Sequence, residues 1–180
     1  MAAWFRKGLS PHHTALAMIG VKPGDRVVIV GADDPTLAAE VALVTGLNGS
    51  TAVCDDGAER ANVEDAARAA GALVEFEESP RSALPFGDDS RDVAVLMNGA
   101  GSDDSVRRAS LAEATRVLRP GGRVVVIDGA RSTGWLRSRT GATRQPPEAV
   151  LALLERAGLK ARRQLADADS IAYYEARKPS

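Results

Sequence analysis

Residues 111–128 read LAEATRVLRPGGRVVVID. Leu111, Ala114, Thr115 and Leu118 recur at helical spacing, Pro120 forbids continuation of a helix, and Gly121-Gly122 supply permissive backbone for a reversal. Arg123 to Ile127 then forms a β-branched run too short for a helix and too uniformly apolar to face water on one side. It reads as an interior strand covered on both faces. Asp128 closes the strand, which puts a carboxylate where ligands bind in open α/β sheets, at the carboxyl end.

The same alternation extends in both directions. Upstream, Ser10-Pro11 opens a short helix from His12 to Ile19 that Gly20 closes, with His12 and His13 read as exposed first-turn positions rather than a catalytic base. The turn Val21 to Asp25 leads to a first strand, Arg26 to Val30, bounded by Gly31. Asp34 is a suitable N-cap and Pro35 a tolerated first residue for the next helix, whose Leu37, Val41 and Val44 share a face. A second strand, Ser50 to Cys54, ends at Asp55-Asp56, and a helix from Ala58 to Ala70 ends at Gly71. Leu73 to Phe76 and Val93 to Met97 are the third and fourth strands. Asn98 to Ser102 forms a turn before the helix from about Asp104. Downstream, Pro146-Pro147 start a last helix with Ala149, Val150, Leu153 and Leu154 expected on its buried side. Leu159 to Leu165 and Ser170 to Ala176 read as an antiparallel hairpin around Ala166 to Asp169. Strands alternating with helices predict a three-layer, doubly wound, mostly parallel α/β sheet.

The totals bound the rest. A chain of 180 residues is long enough for one domain, read over 1–180, that buries roughly 70% of its unfolded surface. With 44% apolar residues, 26% charged residues and a net charge of -1, it gives no electrostatic reason to expect nucleic acid or an anionic membrane as the main partner. One cysteine, Cys54, and two histidines leave no metal site to expect and suit a reducing compartment. No apolar run approaches the ~20 residues that span a bilayer, and the first ten residues lack a signal-peptide core, so a cytoplasmic chain is expected. Residues 1–10, with Trp4 and Phe5 beside Arg6 and Lys7, read as an amphipathic cap or a disordered lead.

The run AEATRVLRPGGRVVVID resembles the segment that leads into the fifth strand of class I S-adenosylmethionine-dependent methyltransferases; Glu113, RVLRPGG and the following strand all match. LPFGDDSRDVAVLMN resembles that family's stretch around the fourth strand, through Leu84-Pro85-Phe86 and Asp92, and GLNGSTAVCD resembles its second motif. The resemblance implies a Rossmann-like methyltransferase fold from residue 12 to 178 with a C-terminal antiparallel hairpin. It also implies S-adenosylmethionine as cofactor, with Asp55 or its neighbour Asp56 on the ribose hydroxyls and Asn98 bounding the methionine end.

The residues agree on the kind of ligand. A dinucleotide site wants GxGxxG, so that backbone amides approach a pyrophosphate. The stretch Gly31-Ala32-Asp33-Asp34-Pro35 keeps only the first glycine and puts carboxylates in the turn, which disfavours NAD and nucleoside triphosphates. S-adenosylmethionine has no phosphate and a cationic sulfonium. The chain departs from the family's first motif at Ile29, Asp33 and Pro35. At the usual adenine-contacting acid it has Pro80, with Ser82 and Ala83 as the nearest replacements. Candidate cofactor contacts are therefore Gly31, Ala32, Asp33, Asp55, Asp56, Ser82, Ala83 and Asn98. Asp33 and Asp34 read equally well as a solvated turn and helix cap.

No acid, base or nucleophile stands out for catalysis, and methyl transfer asks for little beyond in-line approach. Residues 131–146 form an arginine-rich loop after the fifth strand; in 131–144 there are four arginines and no acid. Arg131, Trp135 and Arg137 are its candidate acceptor contacts. The expected function is methyl transfer to a small-molecule acceptor, at a site that is open or completed by a second subunit in a homodimer. The alternative is a non-catalytic relative that has lost the cofactor and binds a protein partner.

Overall fold

The computed structural model describes residue 10 and residues 12–101, 103–129, 144–168 and 170–180, excluding the side chain of residue 100. In chain order the elements are α1 (His13–Ile19), β1 (Arg26–Val30), α2 (Pro35–Thr45), β2 (Ser50–Asp55), α3 (Arg60–Ala70), β3 (Glu75–Glu78), β4 (Arg91–Met97), a 3-10 turn (Asn98–Ala100), α4 (Asp104–Val117), β5 (Leu118–Asp128), α5 (Pro147–Arg156), β6 (Lys160–Ala168) and β7 (Ile171–Arg177). The strands form one seven-stranded sheet in the order β3-β2-β1-β4-β5-β7-β6. β1 to β5 run parallel, and β7 inserts antiparallel between β5 and β6.

The central strands are apolar on both sides because both sides are covered. Val28, Val30, Val124 and Val126 pack on the α4 and α5 side with Leu111, Leu154 and Tyr174. Val27, Ile29, Val125 and Ile127 face α1, α2 and α3 through Ile19, Leu37, Val41 and Val63. Chain order reverses between β1 and β4, so a crevice opens at their carboxyl ends.

The expected elements are present, with shifted boundaries. α4 stops at Val117, three residues before the proline, and β5 starts at Leu118. The anticipated glycine turn is a bulge in β5: Leu118 pairs with Arg91, and the ladder resumes at Arg123 opposite Val93. Gly121 sits there at φ +75 and its amide donates to the Lys178 carbonyl at 3.1 Å; the Lys178 Nζ donates to the Leu118 carbonyl at 2.7 Å and the Arg116 carbonyl at 3.2 Å, at the end of α4. β3 begins two residues later than expected, at Glu75, and leaves Leu73 exposed. It is an edge strand, and its three glutamates suit an unpaired edge. The hairpin is also tighter than expected, with Ala168 already opposite Ile171. On α5, Val150 and Leu154 are buried, Leu153 is half-buried and Ala149 is exposed.

Glu113 of the fifth-strand motif positions the loop before β4. Its Oε2 accepts from the Leu84 amide at 2.8 Å, and Arg116 binds both of its oxygens at 2.8 Å while donating to the carbonyls of Phe86 at 2.8 Å and Leu84 at 3.1 Å. Glu113→Ala leaves the buried Leu84 amide without its acceptor and Arg116 without its main counter-charge. The expected loss is about 2 kcal/mol in urea unfolding, and an unchanged midpoint would contradict the assignment.

Candidate cofactor cleft

β1 delivers Gly31 to the crevice at φ +100, a conformation that glycine takes without strain. The chain then turns at Ala32 and Asp33 and enters α2, with the Asp34 carboxylate accepting from the Leu37 amide at 3.0 Å and Pro35 in the first turn. The expected cap is therefore in place, and Pro35 sits where a helix has no use for its missing amide.

Asp55, the last residue of β2, is 6% exposed. Its Oδ2 accepts from the Ala32 amide at 2.7 Å and its Oδ1 from the Asp56 amide at 2.9 Å. Arg81, from the loop between β3 and β4, forks onto the same carboxylate: Nε donates to Oδ1 at 3.2 Å and Nη2 to Oδ2 at 3.0 Å. Nη2 also lies 3.5 Å from Asp33 Oδ2. Burial pushes the Asp55 carboxyl up, but the Arg81 guanidinium and the two amides outweigh it and hold the group below the usual carboxylate range.

The remaining candidates divide clearly. Ala32 is buried and donates to Asp55, whereas Asp56 is exposed and accepts from the Ala58 amide at 3.1 Å. Ser82 and Ala83 are exposed on a turn closed by the Ala83 amide on the Pro80 carbonyl at 2.9 Å. Arg81, between them and Pro80, is the residue of that segment that reaches the crevice. Asn98 follows β4 at φ +49 and lines a small cavity of about 30 Å³ with His12, Asp33, Met97 and Tyr173. Arg131, Trp135 and Arg137 lie outside the described residues. Arg144, the other end of that loop, pairs with Asp167 of β6 at 2.9 Å.

Two residues escaped the sequence reading. His12 is not exposed: it is 5% accessible, with Nε2 3.0 Å from Asp34 Oδ2 and Nδ1 3.3 Å from Glu40 Oε1, so its ring nitrogens face the N-cap carboxylate of α2 and a carboxylate within that helix. Arg81 carried one signal, an arginine beside Pro80 in a chain whose β1 and β2 ends offer acids at Asp33, Asp34, Asp55 and Asp56. Cys54 is buried as expected, and burial pushes its thiol up to about 12, which leaves it unreactive.

On the other side of the β4 end, a cavity of about 200 Å³ opens between α4 and α5. Leu96, Leu111, Val126, Val150 and Leu153 supply apolar lining, and Arg107, Arg108 and Arg156 supply cations. Asp128 reaches this cavity and accepts from the Gln145 amide at 2.9 Å.

Residues 30–126 match the model of the methyltransferase domain family. A 2-phytyl-1,4-naphtoquinone methyltransferase of Synechocystis is 32% identical over 124 residues, covering 65% of this chain and 52% of that protein. A structure of an S-adenosylmethionine-dependent methyltransferase from Aquifex aeolicus superimposes with a TM-score of 0.76 at 20% identity, covering 94% of this chain and 90% of that one. The [4+2]-cyclase SpnF superimposes with a TM-score of 0.68 at 19% identity, covering 99% and 83%. The chain belongs to the methyltransferase domain family, which implies S-adenosylmethionine as its cofactor. It spans about half the length of the curated relatives it matches, 52% for the Synechocystis protein.

The donor chemistry of the cleft suits that cofactor, because a buried carboxylate ends β2 and the adjoining turn is acidic. The space does not suit it in this conformation: a Cβ built on Gly31 would lie 3.2 Å from Arg81 Cζ and 2.8 Å from Asp33 Oδ2. The glycine is thus already covered by side chains of the chain itself.

The Asp55 contacts give a pH dependence with a definite sign. Its folded pKa lies below the ordinary value of 3.8. The stabilisation is complete above that value and is lost as pH falls through the lower folded pKa. The melting temperature should therefore drop below about pH 4, and Asp55→Asn should flatten that drop. An identical acid profile in the variant would contradict the pairing.

Proposed function

We propose that the protein is an S-adenosylmethionine-dependent methyltransferase that acts on a small, largely apolar acceptor. The observation that carries the reading is the Asp55 carboxylate at the end of β2 beside Gly31, in a chain that belongs to the methyltransferase family. Asp55 accepts the ribose hydroxyls, Asn98 bounds the methionine end, and the acidic turn at Asp33 favours a cation over a phosphate. Bound there, the cofactor supplies an electrophilic methyl group. The chain's own contribution is to orient the two reactants and keep water out.

The acceptor's seat in this reading is the cavity between α4 and α5, whose lining includes Gly99 just after β4 and Asp128 at the end of β5. Its volume suits a compact ring system, and its arginines suit a carboxylate or another acidic oxygen on the acceptor. The naphthoquinone named for the Synechocystis relative is consistent with an apolar ring.

A second reading, a non-catalytic relative that engages a protein partner, draws support from the Arg81 fork on Asp55. The presence of a [4+2]-cyclase among chains of this fold is a reminder that architecture alone does not decide activity.

Two measurements separate the readings. Calorimetric titration with S-adenosylhomocysteine should give saturable binding that Asp55→Ala weakens at least about tenfold, because a charge-assisted hydrogen bond contributes roughly 1.5–3 kcal/mol. No heat beyond dilution at millimolar ligand would favour the non-catalytic reading. Incubation with methyl-labelled cofactor and a panel of hydroxylated aromatic and quinol acceptors should then yield a labelled product. Leu153→Trp, which fills the α4–α5 cavity, should raise the acceptor KM severalfold and leave S-adenosylhomocysteine affinity unchanged; an unaltered KM would remove the acceptor from that cavity.

A further inference from the structure

The geometry points to Arg81 as a displaceable occupant of the cofactor cleft: its guanidinium holds the ribose-accepting positions of Asp55, and an adenosyl cofactor binds in competition with it. The inference rests on the reading of the cleft as a cofactor site, and it adds a residue that sets how tightly that site is held closed.

A carboxylate offers about four lone-pair positions. At Asp55 all four are taken: Oδ2 receives the Ala32 amide and Arg81 Nη2, and Oδ1 receives the Asp56 amide and Arg81 Nε. A ribose diol brings two O–H donors, so two positions must be vacated. The two amides belong to backbone fixed by the β1 turn and the end of β2. Arg81 is the partner that can leave by side-chain rotation alone.

The same guanidinium fills the space that a ligand needs. Its Cζ stands 3.2 Å from a Cβ built on Gly31, at the position where the missing side chain would let a cofactor approach the backbone. Asp33 steadies it from the other side at 3.5 Å, so the departure from a family glycine at position 33 and the arginine at 81 act together. A bidentate guanidinium on a nearly buried carboxylate is among the stronger side-chain contacts available, and it is planar and pre-organised in a way that a lysine is not.

Displacement has a route. The Arg81 side chain is 24% exposed, against 8% for that of Asp55, so its outer edge already meets solvent. Its backbone stays where it is, because the turn is closed between Ala83 and Pro80 and the next residue is held by Glu113 through the Leu84 amide. The arginine therefore swings out from a fixed hinge and regains rotamer freedom when it does. When it leaves, Asp33 and Asp55 lose their shared cation, which favours a ligand that brings its own.

The test is titration calorimetry of S-adenosylhomocysteine and S-adenosylmethionine into the wild-type chain, Arg81→Ala, Arg81→Lys and Arg81→Gln, each first checked for a cooperative thermal transition. The expected result is a dissociation constant at least tenfold lower for Arg81→Ala than for wild type. Arg81→Gln should behave similarly, and Arg81→Lys, which keeps the charge without the fork, should fall between. Arg81→Gln carries the comparison if the alanine variant does not fold. Equal affinity in wild type and variants would overturn the competition while leaving the cofactor reading intact. Weaker binding in the variants would overturn it too, by making Arg81 a cofactor contact. No binding by any form would remove the cofactor reading, and the competition with it.

Discussion

The carboxylate of Asp55 joins three segments that are distant in sequence: the turn after β1 through the Ala32 amide, the end of β2 through the Asp56 amide, and the loop before β4 through Arg81. The contacts run from 2.7 to 3.2 Å, and together they use the full accepting capacity of the group. The crevice between β1 and β4 takes its shape from this junction. Backbone amides make two of the contacts, and the Arg81 side chain makes the other two. The Asp55 carboxylate is thus satisfied by donors from the chain itself.

A second clamp makes the first one reproducible. Glu113 and Arg116 bind the segment from Leu84 to Phe86 by its own amide and carbonyls, which fixes the base from which Arg81 extends. The motif that reveals the fold in the sequence is therefore also mechanically upstream of the cleft. It holds a loop that is irregular in itself, and that loop carries the Arg81 side chain that lies over Gly31. Residues 30–126, the part that matches the family model, contain both clamps.

The elements were legible because their causes are local. The helix from Asp104, the β-branched run after Gly122 and the Asp34-Pro35 helix start follow from periodicity and backbone preference, and the mostly parallel sheet follows from strand and helix alternation. Boundaries moved where a neighbour overrides local preference: β5 starts early because Leu118 finds Arg91, and β3 slides toward its glutamates because it lies at an edge. The carboxylates of the cleft were also legible, since strand ends can be located. Arg81 was not, because its partner is 26 positions away and a side-chain fork has no period. His12 escaped for the same reason; the carboxylates of Asp34 and Glu40 reach it only in the folded chain.

The most direct test of this picture is the 15N resonance of the Arg81 Nε–H group, assigned by comparison with Arg81→Lys and followed while S-adenosylhomocysteine is added. In the free protein the proton should exchange slowly and resonate well away from the solvated arginines, as expected for a guanidinium forked onto a buried carboxylate. At saturation it should move to the solvated position and exchange rapidly. A resonance that keeps its shift and protection while the ligand demonstrably binds would contradict the account, because Asp55 would then hold the arginine and the cofactor would rest on other groups.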